Sequence, residues 1–269
     1  MSDVPLHGPL ILGAQGRIGQ MFRALWDGGH WPDARPPVWF GRADWDMSGP
    51  LPDSLPPVRG VIVLAGRTAG PDLAANSVLA LAALELAARF GLGPVLLCSS
   101  SAVYGAAPGP HAEDAVCYPS NPYGAAKLDM ERAAAAHPTP SCALRIANVA
   151  GADMAMLNAA KGPVALDRLA DGSTPKRMYA GPRSLARMIL DLIDASALPP
   201  LLNLAQPGLT QMGDLLDAAG AEWSPKPASD TVLPALALDL GLLSRLIPLD
   251  PATPASLAVE ARLAGWRAA

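Results

Sequence analysis

The sequence predicts an α/β protein: a doubly wound parallel sheet with a small C-terminal lobe. Short apolar runs alternate with segments of helical periodicity, and each run is apolar throughout, as in strands buried on both faces. The first run leads directly into a glycine-rich turn and a helix. The 269 residues exceed one typical domain of about 150 residues but fall short of two. We therefore expect a sheet domain over residues 1–150 and a smaller lobe, interleaved with it, over residues 151–269.

The elements can be placed in order along the chain. Apolar runs predict strands at residues 9–12, 38–40, 61–66, 95–98, 142–146 and 201–204. Apolar residues at helical spacing predict a helix that follows the glycine turn through residue 26, and others at residues 72–90, 123–136, 164–170, 185–195, 211–219 and 254–266. Prolines and polar residues predict a loop at residues 224–234.

Composition excludes several classes of protein. Hydrophobic residues make up 51% of the chain and charged residues 16%, which excludes intrinsic disorder. The most apolar stretch, residues 73–92, is interrupted by Asn76, Glu85 and Arg89, so we expect no membrane span. A net charge of −4 without a Lys/Arg cluster argues against nucleic acid as a partner. Residues 1–12 show neither the basic segment nor the cleavage site of a secretory leader, so we expect a cytoplasmic protein.

The cysteines predict neither disulfides nor a metal site. Cys98, Cys117 and Cys142 are odd in number and widely spaced, and they form no CxxC pair. No histidine stands at metal-ligand spacing from them. We expect reduced structural thiols and no bound metal.

The turn after the first strand places Gly13, Gly16 and Gly19 at a GxxGxxG spacing. Glycines in a strand-turn-helix unit let a pyrophosphate approach the backbone, where the amino end of the helix receives its charge. In a chain with 25 glycines such a match also arises by chance. The turn alone therefore leaves both interpretations open.

A tyrosine and a lysine stand four residues apart at the start of a predicted helix. Tyr123 and Lys127 project from one face of that helix, as acid-base chemistry by a phenol beside an ammonium requires. A free tyrosine has a pKa of about 10, and a nearby cation lowers it. Such pairs are also common on helix surfaces, so this spacing too has a structural alternative.

These motifs occur in a specific order. The glycine turn is followed by a serine tract, Ser99 to Ser101, at the end of the fourth strand, and then by Asn-Pro-Tyr123-Gly-Ala-Ala-Lys127. In this order they resemble the extended short-chain dehydrogenases/reductases, also called the NAD-dependent epimerase/dehydratase family. The resemblance runs from about residue 10 to Gly151. It implies a Rossmann-like fold whose small C-terminal lobe binds the substrate.

The resemblance implies three catalytic residues. Tyr123 would be the acid/base, and Lys127 would lower its pKa and bind the nicotinamide ribose. Ser100, three residues before the Val of Val-Tyr-Gly, would hold the substrate oxygen, and it is favoured over Ser101.

The resemblance also implies a set of cofactor contacts. Besides Tyr123 and Lys127 they are Gly13, Gln15, Gly16, Arg17, Ile18, Gly19, Arg42, Asp46, Met47, Leu64, Ala65, Gly66 and Asn76. At the end of the second strand, NAD-binding members carry a carboxylate for the ribose hydroxyls, whereas this chain has Gly41-Arg42. Arg42, with Arg17, could pair with a 2′-phosphate, so NADP is favoured over NAD.

On the substrate side, Asn148 occupies the Asn of the family's Leu-Arg-x-x-Asn-Val-x-Gly, which contacts a nucleotide-sugar diphosphate. Arg177 begins a segment like one in which related chains contact phosphate, although Arg183 and Ser184 replace that segment's acidic pair. Ser101 and Ala102 replace the Asp-Glu pair of the 4,6-dehydratases, so dehydration is not expected.

The resemblance thus implies an NAD(P)-dependent oxidoreductase or epimerase. It would transfer a hydride at a carbinol or keto carbon, with a nucleotide-activated sugar as the favoured substrate and net reduction favoured over epimerisation. The alternatives are a reductase of a small non-sugar carbonyl compound and a catalytically idle NADP-binding sensor. The helices predicted at residues 72–90 and 123–136 are rich in Ala and Leu, and in this family the corresponding helices form a homodimer.

Overall fold

The computed structural model describes residues 7–33 and 35–269. Residues 1–6, part of the segment from which the lack of a leader was inferred, and Ala34 lie outside the described residues. The strands are Leu10–Leu12 (β1), Val38–Phe40 (β2), Val61–Val63 (β3), Val95–Ser100 (β4), Cys142–Ile146 (β5), Asn148–Val149 (β6), Val164–Arg168 (β7), Lys176–Ala180 (β8), Leu201–Leu204 (β9), Leu209–Gln211 (β10), Trp223–Pro227 (β11) and Ala235–Leu236 (β12). The α-helices are Arg17–Asp27 (α1), Ala75–Phe90 (α2), Pro122–Ala135 (α3), Met154–Ala159 (α4), Pro182–Ile193 (α5), Met212–Ala219 (α6), Gly241–Leu246 (α7) and Pro254–Leu263 (α8).

The central sheet has the strand order β2-β1-β3-β4-β5-β9, and all its strands are parallel. From β1 the chain goes outward to β2 and then returns to β3 on the other side of β1. Open α/β sheets bind ligands at the carboxyl ends of the strands where the order reverses in this way. The predicted doubly wound parallel sheet is confirmed.

Both faces of this sheet are covered, which explains the continuous apolar strands. Ile11 packs in a core with Phe22 of α1 and Ile189 of α5. Leu10 points to the opposite face, where it packs in a second core with Leu84 of α2. Successive strand residues thus enter different cores, and apolar residues predominate on both faces of the sheet.

Strand β9 comes from the second part of the chain and completes the sheet beside β5. The pairing joins Leu144 to Leu202 and Arg145 to Asn203. A domain boundary at residue 150 stays a prediction; the second segment contributes both this strand and α5 to the first.

The helix predicted at residues 164–170 is wrong: residues 164–168 form strand β7, which pairs with β11. In β7, Val164 and Leu166 are buried while Ala165 between them is exposed, which is the period of a strand. Five residues are too few to distinguish helical from strand periodicity in the sequence. The pairing with β11 makes this segment a strand. That partner, β11, begins at Trp223 and occupies part of the predicted loop, and its prolines suit an exposed edge.

Two further findings concern expectations from composition. Among residues 7–33 and 35–269, no helix combines the length and apolarity needed to cross a bilayer. The three cysteines are free thiols. Burial raises the pKa of Cys98 to about 11 and that of Cys142 to about 12, so both thiols stay protonated near neutral pH.

Candidate active site

The glycine turn lies against the loop after β3. Gly13 has a φ of +90°, and a Cβ there would stand 2.4 Å from the backbone nitrogen of Ala65. A Cβ on Gly19 would stand 2.5 Å from the carbonyl oxygen of Gly13. These two glycines are therefore required by packing within the protein. Gly16 begins α1 without a side-chain cap, which leaves the first amide groups of the helix available to an anion.

Lys127 reaches the carboxyl ends of β3 and β4. Its side chain is only 5% exposed, and Nζ donates a hydrogen bond of 2.7 Å to the carbonyl oxygen of Cys98. A Cβ on Gly66 would come within 3.2 Å of this Nζ and 2.7 Å of Asn76 Oδ1. The lack of a side chain at Gly66 thus lets the loop after β3 lie directly against Asn76 and the ammonium group of Lys127.

Asn76 holds the loop after β3 rather than facing open space. Its Nδ2 donates to the carbonyl oxygens of Leu73, at 2.8 Å, and Arg67, at 3.1 Å. Its Oδ1 accepts from the backbone nitrogen of Arg67 at 3.2 Å. The loop that carries Gly66 therefore keeps its shape through the amide of Asn76.

Tyr123 and Ser100 are brought together by a helix cap and a strand end. Asn121 caps α3 by accepting from Gly124 N at 2.8 Å, and this fixes Tyr123 in the first turn. Ser100 is the last residue of β4, and its Oγ accepts from Ala102 N at 3.2 Å. The predicted catalytic Ser100 and Tyr123 are neighbours.

Burial is the largest influence on Tyr123 and raises its pKa above the ordinary value. Hydrogen bonding to Ser100 and the charge of Arg17 act in the opposite direction. Lys127 Nζ lies 6.0 Å from the centre of the phenol ring. Burial also lowers the pKa of Lys127. The side-chain environment alone therefore does not depress the pKa of the phenol as expected from the sequence.

A buried ion pair, which sequence reasoning missed, lies beneath this site. Arg145 of β5 and Glu131 of α3 are 3% and 4% exposed, and their side chains meet at 2.7 Å. Ser99 also donates to the Glu131 carboxylate. Arg145 Nη1 donates to Tyr104 Oη at 3.0 Å and to the carbonyl oxygen of Glu113 at 2.8 Å. The ion pair fixes α3, which carries Tyr123, against β4 and β5.

Asn203 of β9 extends the network to the loop between Gly105 and Asn121. Its Oδ1 accepts from Tyr104 Oη at 2.7 Å, and its backbone nitrogen donates to Glu113 Oε1 at 2.9 Å. Its Nδ2 donates to the carbonyl oxygen of His111 at 2.8 Å. The sequence does contain a signal for this role of Asn203. It is a polar residue within the otherwise apolar strand Leu-Leu-Asn-Leu.

Other predicted cofactor residues occupy varied positions. Ile18 and Leu64 pack against the core below the sheet ends, and Met47 is buried in the opposite core. Asp46 is exposed and accepts from the backbone and hydroxyl of Ser48. Arg17 donates to the carbonyl oxygen of Ala152 at 3.3 Å.

At the end of β2, Arg42 is exposed, and the side chain of Gln15 lies against Gly41. Asp44 Oδ2 accepts from Gly41 N at 2.8 Å. A carboxylate therefore does stand at the end of this strand, although the sequence places it three residues further along.

The predicted substrate residues lie in one small sheet. Asn148 of β6 pairs with Tyr179 of β8, and Arg177 lies two residues before Tyr179. Arg177 Nη1 donates to the carbonyl oxygens of Lys176, at 2.8 Å, and Leu233, at 3.0 Å. The structure brings Asn148 and Arg177 into the same sheet, with Arg177 already engaged by backbone.

The residues present fit a dinucleotide. Three features lie at the end of the sheet where strand order reverses: the uncapped start of α1, the close approach of Gly13 to Ala65, and Gly66 beside the ammonium group of Lys127. The first offers free amide groups to a pyrophosphate, and the last offers a cation and a bare backbone to a ribose.

Comparisons with known proteins agree with this geometry. The NAD dependent epimerase/dehydratase family matches residues 60–185. A UDP-glucose 4-epimerase from Azospirillum brasilense is 44% identical over 95 residues, which is 34% of this chain and 27% of that relative's length.

Solved structures show the same fold over nearly the whole chain. UDP-glucose 4-epimerase from Brucella ovis in complex with NAD has a TM-score of 0.72 at 20% identity, covering 98% of this chain and 100% of the other. RMD from Pseudomonas aeruginosa complexed with NADPH has a TM-score of 0.73 at 19% identity, covering 97% and 99%. Over residues 60–185 the chain is thus similar to the NAD-dependent epimerase/dehydratase family, and its fold is that of the solved epimerases.

Proposed function

We propose that this protein is an NAD(P)-dependent oxidoreductase or epimerase that acts at a carbinol or keto carbon of a nucleotide-activated sugar. The observation that carries the proposal is the meeting of Ser100, Tyr123 and Lys127 at the carboxyl ends of β3 and β4. That end of the sheet is also where the glycine turn lies.

The catalytic roles follow from these positions. Ser100 holds the substrate oxygen beside the phenol of Tyr123, and Lys127 binds the nicotinamide ribose. A dinucleotide held there would supply or accept the hydride. In the direction of reduction, Tyr123 would donate its proton to the substrate oxygen. Burial raises the pKa of Tyr123, so in the ligand-free protein its phenol holds the proton that it would donate.

Asn148 and Arg177 are our candidates for substrate binding. A nucleotide sugar suits them because Asn148 can donate an amide hydrogen bond to a diphosphate and Arg177 carries a positive charge. The Azospirillum relative is named as an enzyme of UDP-glucose, which supports this class of substrate.

A small non-sugar carbonyl compound is the second candidate substrate. It is favoured by the bonding of Arg177 to two backbone carbonyls, which reduces its capacity to receive a phosphate. A catalytically idle NADP-binding sensor is disfavoured because Ser100, Tyr123 and Lys127 are all present.

We further propose a cytoplasmic homodimer. Helices α2 and α3 pack side by side on one face of the sheet, and α2 exposes Val78 and Ala88. A two-fold contact between such helix pairs would cover these residues. A monomeric mass near 27.7 kDa by light scattering would contradict the dimer.

The dinucleotide form depends on the end of β2. Arg42 and the lack of a carboxylate immediately after the strand favour NADP, whereas Asp44, which folds back to that point, favours NAD.

The deciding experiment is a screen of keto-sugar nucleotides and simple ketones for oxidation of NADPH and NADH. The proposal expects turnover of a sugar nucleotide and a higher KM in Asn148→Ala. Turnover of simple ketones alone, unchanged in Asn148→Ala, would support the second candidate. Tightly bound cofactor without net oxidation of NADPH or NADH would favour epimerisation over reduction.

A further inference from the structure

Tyr179 shares one face of the small sheet with Asn148 and Arg177, our candidates for substrate binding. Asn148 pairs in register with Tyr179 across β6 and β8, so the two side chains project from the same face. Arg177 lies two residues before Tyr179 on β8 and projects from that face too. A phenol therefore lies beside the side chains that we assign to the substrate.

The phenol of Tyr179 is held firmly, yet its hydroxyl has no partner. Tyr179 is fully buried, and its ring packs in a core with Met156 of α4 and Leu257 of α8. Within the part of the chain that the structure describes, its Oη meets no atom with the geometry of a hydrogen bond. Buried hydroxyl groups are nearly always hydrogen-bonded, because leaving one unpaired costs free energy. This hydroxyl is therefore a fixed group with unused capacity to bond.

A second buried atom without a partner belongs to Asp153. Its Oδ1 caps α4 by accepting from Ala155 N at 2.9 Å and Met156 N at 3.3 Å, whereas its Oδ2 meets no partner among residues 7–33 and 35–269. Asp153 is close enough to Tyr179 for its charge to act on the phenol. An acceptor without a donor thus lies near a hydroxyl without a partner.

The polar neighbours of Tyr179 act on its pKa in opposite directions. Burial, and after it the charge of Asp153, raises the pKa, so the phenol keeps its proton. The amide of Asn148 lowers the pKa, as an N–H group directed at the phenol oxygen does. The Asn148 amide therefore points toward Tyr179 Oη from just beyond the geometry of a full hydrogen bond.

Resting on the proposed function, we propose that Tyr179 is a positioning residue for Asn148: its oxygen accepts one of the two amide protons and leaves the other for the diphosphate of the substrate. An asparagine amide carries two donors on nitrogen and an acceptor oxygen, and only the donors suit a phosphate. The bond to Tyr179 excludes the orientation in which the amide oxygen would meet the phosphate oxygens. The phenol proton is left for Asp153 Oδ2.

Binding of UDP, GDP and dTDP, measured by calorimetry on the protein saturated with NAD⁺ or NADP⁺, tests the proposal without turnover. Tyr179→Phe removes only the hydroxyl, and we expect it to weaken binding of the accepted nucleotide about three- to tenfold, the effect of one lost hydrogen bond. In the Asn148→Ala background the same change should have no further effect, because Tyr179 acts through Asn148. The exposed Tyr118→Phe is the matched control and should bind as the wild type does.

The outcomes separate this inference from the proposed function. Thermal unfolding and unchanged binding of the dinucleotide should show that Tyr179→Phe is folded. Unchanged nucleotide binding in the folded variant would overturn the inference while the proposed function stands. Equal losses with and without Asn148 would also overturn it, since Tyr179 would then act through the fold. If the wild type binds none of the three nucleoside diphosphates, the proposed class of substrate fails and the inference fails with it.

Discussion

Ser184 at the start of α5 binds the carboxylate of Glu260, which lies on α8. Ser184 Oγ donates to Glu260 Oε1 at 2.6 Å, and Ser184 N donates to Oε2 at 2.7 Å. Gly181 leaves the space, since a Cβ there would stand 2.3 Å from Oε2. Ser184 occupies one of the two positions at which the family's segment carries acidic residues. In this chain Glu260, from α8, brings a carboxylate to that position. The C-terminal helix is thereby joined to the helix that packs on the sheet.

Replacing Glu260 should therefore destabilise the whole protein. Glu260→Ala removes a charged acceptor from the positive end of α5, at a cost of about 1–3 kcal/mol in the free energy of unfolding. Urea denaturation measures this, with the exposed Glu222→Ala as the control. Equal midpoints for the two variants would contradict the role of Glu260.

Removing only one partner of the Glu131–Arg145 ion pair should lower the free energy of unfolding more than removing both charges. Glu131→Leu leaves Arg145 as an uncompensated buried charge, and we expect a loss of about 3–5 kcal/mol in the free energy of unfolding. The double variant Glu131→Leu/Arg145→Met should be more stable than Glu131→Leu alone. Additive losses in the double-mutant cycle would show that the two side chains act independently.

Tyr123→Phe should abolish most turnover without abolishing cofactor binding. Loss of the proton donor lowers kcat by about 10²- to 10⁴-fold. Calorimetry with the preferred dinucleotide should show nearly unchanged affinity. The exposed Tyr118→Phe is the matched control and should retain activity. Full activity in Tyr123→Phe would refute the mechanism.

Tyr123 should remain protonated at neutral pH in the ligand-free protein. Burial raises its pKa, so the phenolate forms only above the ordinary tyrosine value of about 10. Subtracting the phenolate absorbance of Tyr123→Phe from that of the wild type isolates this group. A difference signal that appears near pH 7 would show that the phenol is already activated without cofactor.

Asp153 should make the protein less stable as the pH rises. Burial raises the pKa of this carboxyl from 3.8 to about 6, although bonds from Ala155 N and Met156 N oppose the shift. The folded state therefore binds more protons between these values, and stability falls as the pH rises from about 4 to about 6. It stays lower at pH 7.

Asp153→Asn keeps the cap of α4 but cannot ionise. It should flatten this pH dependence and stabilise the protein at pH 7 by about 1–3 kcal/mol. Asp171→Asn should change stability at pH 7 in the opposite direction and destabilise the protein. The reason is that hydrogen bonds from Ser173 lower the pKa of the Asp171 carboxyl. Urea midpoints at pH 4 and pH 7 for both variants check the prediction. A stability that rises with pH through this window in the wild type but not in Asp153→Asn would contradict it.

Most strands of the central sheet were predictable because burial on both faces requires short apolar runs, as at Leu10–Leu12 and Val61–Val63. Strand β7 was not, because its five residues fit a helix equally well until β11 pairs with it. The strand-end motifs also placed Ser100, Tyr123 and Lys127 together.

Contacts made by side chains from other parts of the fold could not be predicted from the sequence. Glu260 approaches Ser184 across 76 residues, and nothing local to Ser184 marks it. Asp44 is close in sequence to Gly41, but the turn that returns its carboxylate to Gly41 N depends on backbone conformation and not on spacing alone.

The position of β9 has a consequence for how the protein is made. Until Leu201–Leu204 leaves the ribosome, β5 is an open edge with unpaired backbone groups along Cys142–Ile146. The sheet therefore cannot be completed when residues 1–150 have been synthesised, and a nascent chain that stalls before residue 201 exposes a strand prone to aggregation.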